Sequence, residues 1–145
     1  MKCKIIIDAD REEEIIVYTK KASPLTRAIE QLAREEEAVW IGYSEESMIP
    51  LDLKEVLCFA VEDNKVYAHL LQQKLLMKCR LYQLEERLPK EFIKINQSCL
   101  VNCLKIKRFD ASISGTLRVV FENGHSDYVS RRQLKAVKER FGIRS

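Results

Sequence analysis

The chain has 145 residues, of which 46% are hydrophobic and 32% charged, a balance that allows one ordinary soluble domain with a small extension and excludes wholesale disorder. The formal charge of +3 conceals a division: residues 1–50 carry seven Lys/Arg against eleven Asp/Glu, and residues 51–145 carry eighteen against eleven. The longest apolar run, Val56 to Val61, is far short of a bilayer span, and Met1-Lys2-Cys3-Lys4-Ile5 reaches Asp8 too soon for a signal-peptide core. With five cysteines and no export signal, the expected compartment is the reducing cytoplasm.

In chain order, Lys4–Asp8 and Glu14–Thr19 are short β-branched runs that predict two strands joined by a charged connection. Ser23-Pro24 opens a helix, since serine caps orphan amides and proline fits the first turn. Leu25, Ile29 and Leu32 make its apolar stripe, and Glu35-Glu36-Glu37 closes it. Ala38–Tyr43 predicts another strand, and Pro50 marks the expected boundary between an N-terminal α/β extension, 1–50, and a second unit, 51–145.

Beyond Met48 the pattern is mainly β. Val56–Val61 and Lys65–Leu71 flank the turn pair Asp63-Asn64, which predicts a hairpin, and Leu75–Cys79 extends the sheet. Leu81, Leu84 and Leu88 have helical spacing and stop at Pro89. Phe92–Ile95, Cys99–Val101 and Leu104–Phe109 are strand-like. Ser114-Gly115 turns into Thr116–Phe121, Asn123-Gly124 is the strongest hairpin signal in the chain, and Asp127–Val129 follows. Ser130 then caps a last helix with Leu134, Val137 and Phe141 on one face. The fold class expected is mainly β with short helices, α+β.

Much chemistry is missing. Four glycines, at 42, 115, 124 and 142, make no phosphate-binding loop. The cysteines at 3, 58, 79, 99 and 103 form no C-x-x-C pair, and His69 and His125 do not stand at zinc-finger spacing from Cys99 and Cys103. Buried apolar thiols are the simpler reading, so no metal and no cofactor is expected. Ser98 or Cys99 with either histidine lacks local support as a catalytic pair. The sequence does not read as an enzyme, and no small-molecule substrate is expected.

Polar and basic residues instead gather near turns and element ends: Asp63-Asn64-Lys65; Lys94 to Ser98 with Asn102, Lys105, Lys107 and Arg108; and Ser130-Arg131-Arg132. Strand alternation would put Lys105 and Lys107 on one face, able to follow a charged backbone, although a solvated lysine face is an equal reading. Arg131 and Arg132 are more informative. They fall in a first helical turn, where each cation costs about 0.3–1 kcal/mol. An anionic ligand would relieve that cost, and arginine also makes bidentate contacts to guanine; salt bridges to nearby carboxylates are the alternative.

One ordered string carries a resemblance. Leu81-Tyr82-Gln83-Leu84-Glu85-Glu86-Arg87-Leu88-Pro89 leads to Phe92-Ile93-Lys94-Ile95-Asn96-Gln97-Ser98 and Leu100-Val101-Asn102, then through Asn123-Gly124 to Val129-Ser130-Arg131-Arg132. It resembles the LytTR family of bacterial DNA-binding domains over about Leu51 to Ile143. The resemblance implies packed β-sheets whose loops and strand ends enter successive major grooves of double-stranded DNA, at imperfect direct repeats bound by two copies. It implies base contacts from Asn64, Lys65, Asn96, Gln97 and Arg132, phosphate contacts from Lys94, Ser98, Lys105, Lys107 and Arg131, and a turn-holding role for Asn102. Asn96 and Gln97 depart from the His, Lys or Arg common next to the serine. The first 50 residues are too few for a receiver domain and look like the N-terminal segment of stand-alone regulators, for which a homodimer and a small membrane-protein antagonist are the implied partners. The rival reading is a non-enzymatic interaction module whose basic face meets an acidic protein or an anionic membrane.

Overall fold

A computed structural model describes residues 1–37 and 39–144. Helix α1 (Pro24–Glu37) precedes strands β1 (Ile41–Tyr43) and β2 (Met48–Pro50). After a 3₁₀ turn at Leu53–Glu55 come β3 (Cys58–Glu62), β4 (Lys65–His69) and β5 (Lys74–Met77), then helix α2 (Leu81–Arg87). Strands β6 (Phe92–Asn96) and β7 (Cys99–Asn102) lead through a 3₁₀ turn at Cys103–Lys105 to β8 (Ile106–Ala111), β9 (Leu117–Phe121), β10 (Ser126–Val129) and helix α3 (Arg131–Phe141). A seven-stranded antiparallel sheet in the order β2-β1-β5-β4-β3-β7-β6 packs with a three-stranded sheet, β10-β9-β8.

The expected β-rich class with short helices holds, and the apolar run at Val56–Val61 shows why. Successive residues of β3 face opposite sides of the sheet, and both sides are covered. Cys58 and Ala60 join Ile95, Val101, Val119 and Phe121 in the core between the two sheets, to which α3 adds Val137. Val56 and Phe59 lie in a second core with Val66, Met77, Leu84 and Leu100, closed by α2. Where β1 meets β5 the backbones approach so closely that a Cβ on Gly42 would sit 2.7 Å from Leu75 Cβ.

Three expectations change. Lys4–Asp8 and Glu14–Thr19 form no strands; Ile5 and Ile7 are 85% and 96% exposed. β-Branched residues favour extended backbone, but a strand also needs a neighbour for its N–H and C=O groups, and none is provided there. Of Ala38–Tyr43, Ala38 lies outside the described residues and the strand occupies Ile41–Tyr43. Leu104–Phe109 is not one strand: Lys105 ends a 3₁₀ turn, β8 begins at Ile106, and its register against β9 shifts between Ile106 and Arg108. Simple alternation therefore does not relate Lys105 to Lys107.

Helix α1 starts as its sequence predicts. Thr26 N donates to Ser23 Oγ and Ser23 N to Thr26 Oγ1, so the two residues satisfy each other's amides. Its apolar stripe is only partly used, since Leu25 and Leu32 are 46% and 58% exposed. Among the described residues, no helix is long and apolar enough to cross a membrane.

Candidate nucleic-acid interface

Antiparallel pairing brings three separate turns to one end of the sheets. Asp63 and Asn64, at φ 50° and 64°, close the two-residue hairpin between β3 and β4, the left-handed pair such a turn requires. Gln97 and Ser98 close the turn from β6 to β7. Val61 N donates to Ser98 O at 2.8 Å and fastens the first turn to the second. The third piece is the junction of β10 with α3, held to the second by a 2.8 Å bond from Ser130 N to Ile95 O.

Asn96 fixes this arrangement. It is 1% exposed. Its Nδ2 donates to Tyr128 O at 2.8 Å and to Asp127 Oδ1 at 3.1 Å, and its Oδ1 accepts from Ser98 N at 2.8 Å. Both amide protons and the carbonyl are thereby occupied, which removes Asn96 from the residues free to read a base. The expectation of a base contact there is corrected: the side chain joins the second turn to the third. Asn102 does the same work at the far end of β7, where Nδ2 donates to Val56 O at 3.0 Å and Oδ1 accepts from Leu104 N at 3.0 Å.

The remaining side chains at this end point outward. Asn64, Lys65, Gln97, Ser98, Arg131 and Arg132 are all exposed, and Lys94 is half-buried, 3.8 Å from Glu85. Among the described residues Arg131 and Arg132 take part in no ion pair within 4.0 Å. The first turn of α3 holds no acidic residue, and Ser130 makes no side-chain cap bond, contrary to its expected capping role. The helix N-terminus thus presents amides and two cations together, an arrangement that favours an anion.

An open groove of about 1000 Å³ runs beside the first two turns, lined by Asn64, Lys65, Lys94 and Gln97 together with Lys78 and Arg80. The last two were missed in the sequence. The signal was the Lys78-Cys79-Arg80 alternation at the end of β5, which only strand pairing brings next to Lys65. Lys78 Nζ also lies 4.2 Å from the centre of the Tyr43 ring.

Lys105 and Lys107 stand elsewhere. β7 runs away from the Gln97-Ser98 turn to Asn102, and both lysines follow its far end. Ile106 pairs with Phe121, next to the hairpin that contains Asn123 and Gly124. Their expected phosphate contacts do not share a surface with the three turns. That hairpin has a three-residue loop, with Gly124 at φ 85° and Gly124 N donating to Phe121 O.

The fold agrees with comparisons to known proteins. The family model described as the LytTr DNA-binding domain matches residues 46–142. The chain belongs to the LytTR family of DNA-binding domains. Uncharacterized HTH-type transcriptional regulators of Staphylococcus aureus strains NCTC 8325 / PS 47 and COL are each 31% identical over 146 residues, covering 99% of this chain and of theirs. A solved LytTr DNA-binding domain from Bacillus cereus has the same fold, with a TM-score of 0.67 and 24% identity over 72% of this chain and 97% of its own. The relatives are labelled helix-turn-helix, but in this LytTR chain strands separate α1, α2 and α3 from one another.

Proposed function

We propose that the chain is a sequence-specific transcription regulator, bacterial and cytoplasmic, that binds double-stranded DNA through the three turns at one end of its sheets. The observation that carries this reading is the convergence of exposed Asn64, Gln97 and Arg132 at that end, each on a turn or junction that pairing holds in place. In this reading the turns enter successive major grooves, where amides pair with adenine and arginine with guanine. Lys94, Ser98 and Arg131 supply phosphate contacts, with Lys65 beside Asn64 at a base edge. No catalytic step is part of the reading.

The exposed isoleucines of residues 1–23 support a further assignment. We place β1 and β2 with the DNA-binding unit because they belong to its sheet, and leave residues 1–37 as an arm that pairs two copies across direct repeats. A small membrane-protein antagonist would compete for the same apolar arm. The Ile6→Glu/Ile16→Glu double variant is expected to shift the chain from dimer to monomer in sedimentation equilibrium; a monomeric parent chain would end the assignment.

Selection from a random duplex pool tests the main reading. The expected product is a repeated motif at helical-turn spacing, on which Arg132→Ala loses about 1–3 kcal/mol and relaxes preference at one base pair. Equal losses on selected and random DNA would remove Arg132 from base reading, and an unenriched pool from folded protein would leave general polyanion binding.

A further inference from the structure

At the end of the sheets opposite the DNA-facing turns, three residues that the sequence keeps apart meet. Cys58 begins β3, His69 ends β4 directly across from it, and His125 closes the β9–β10 hairpin. Their ligand atoms, one from each residue, all lie within 4.8 Å of one another. Cys58 and His69 are buried, and His125 is half-buried. The two imidazoles stack with centroids 4.2 Å apart and planes 15° apart.

We infer that Cys58, His69 and His125 form a zinc-binding site that joins the large sheet to the small one.

The donor set fits the ion: one thiolate and two imidazoles are borderline-soft ligands that zinc accepts in tetrahedral geometry. A zinc with Zn–S of about 2.3 Å and Zn–N of about 2.0–2.1 Å draws its ligand atoms to roughly 3.3–3.8 Å from one another. From within 4.8 Å the ligand atoms reach that size by side-chain rotation, which also turns the two stacked rings so that their in-plane lone pairs converge on the ion.

Each histidine has a free lone pair to offer. His69 Nε2 lies 2.9 Å from Glu62 Oε1, so its Nε2–H is engaged and Nδ1 remains for the metal. Glu62 is held in turn by Lys74 at 2.7 Å. This is the carboxylate–histidine support that metal-ligating imidazoles commonly have. His125 Nε2 is buried without a hydrogen-bond partner, a desolvation cost that ligation would relieve.

The thiol of the cluster is that of Cys58, buried beside the two imidazoles, and it is the donor that would bind as thiolate.

Nothing in local spacing announces such a site. Cys58 and His69 are neighbours because β3 and β4 form a hairpin, whereas His125 arrives with the second sheet. The Asn123 Nδ2 bond to Leu70 O, at 3.4 Å, brings the hairpin against the end of β4.

The test uses the full chain, purified under reductant and stripped of metal, titrated with Co2+ and then with Zn2+. Expected is one Co2+ per chain with tetrahedral ligand-field absorption and a thiolate-to-cobalt charge-transfer band, both abolished by equimolar Zn2+. Cys58→Ser removes the charge-transfer band, and His125→Ala weakens Zn2+ binding by roughly 100-fold or more, while Cys103→Ser changes neither. Zn2+ also raises the Tm of the parent chain in a concentration-dependent way, and His125→Ala loses that response. Should Cys58→Ser fail to fold, His125→Ala on the hairpin decides the matter through affinity and Tm. Binding of less than about one-tenth equivalent, a cobalt spectrum without thiolate, or affinity indifferent to His125→Ala would each overturn the site.

Discussion

The two ends of the sheets use the same residue types in opposite ways. At the end bearing the β3–β4 turn, Asn64, Gln97 and Arg132 are exposed, and the arginine has no ion-pair partner among the described residues. At the other end, His69 and Asn102 are buried, and His125 is packed against His69. Asn96 and Gln97 show the contrast within two adjacent positions: one amide is fully occupied inside, and the other faces water. Burial decides which polar groups hold the fold and which remain for a partner.

The sharpest way to break this contrast is Asn96→Ala against Gln97→Ala. Loss of Asn96 strands Tyr128 O and Ser98 N, and is expected to destabilise by roughly 2–4 kcal/mol, while Gln97→Ala stays within about 0.5 kcal/mol. Urea denaturation of both variants reads the difference, and similar midpoints would show that burial does not separate their roles. DNA binding should reverse the order of importance, with Gln97→Ala losing discrimination in a fully folded protein.

A smaller effect distinguishes the lysines of the two ends. Lys94→Ala, on β6 beside the Gln97-Ser98 turn, is expected to flatten the dependence of log K on log salt by about 0.9, the share of one phosphate contact. Lys107→Ala, at the other end, should leave that slope unchanged. An equal change in both would extend the DNA contact over the full length of the sheets.

The smallest expected effect is on pH dependence. Burial raises the Glu62 pKa, but Lys74 at 2.7 Å and His69 at 2.9 Å outweigh it and hold the carboxyl below 4.5. A pKa lowered in the folded state contributes stability that is present above 4.5 and is lost as pH falls through the folded value. In metal-free protein, Glu62→Gln should therefore reduce stability near neutrality and flatten its decline in acid. A parallel decline in parent and variant would mean that the Lys74 and His69 contacts do not persist in solution.

Much of the β-sheet domain was legible because its signals are local. Val56–Val61 is apolar on both faces, Asp63-Asn64 tolerates positive φ, and Leu81, Leu84 and Leu88 mark a helical face; each feature acts within a few residues. Lys4–Asp8 and Glu14–Thr19 have equally good strand composition and form none, since composition does not supply a neighbouring edge. Among the site candidates, residue type identified turns rich in amides and cations, but it could not tell Asn96 from Gln97. It also grouped Lys105 and Lys107 with turns from which β7 separates them, and it missed Lys78 and Arg80, which strand order brings to Lys65.

By itself, then, the sequence determined the class of the fold, most of its strands and helices, and the family to which it belongs, because periodicity and turn chemistry are written along the chain. Tertiary structure alone decided which amides are buried, which basic residues share an end, and that Cys58, His69 and His125 come together. Those outcomes depend on strand pairing and the packing of two sheets, which join residues far apart in sequence at the distances where hydrogen bonds and ligation operate.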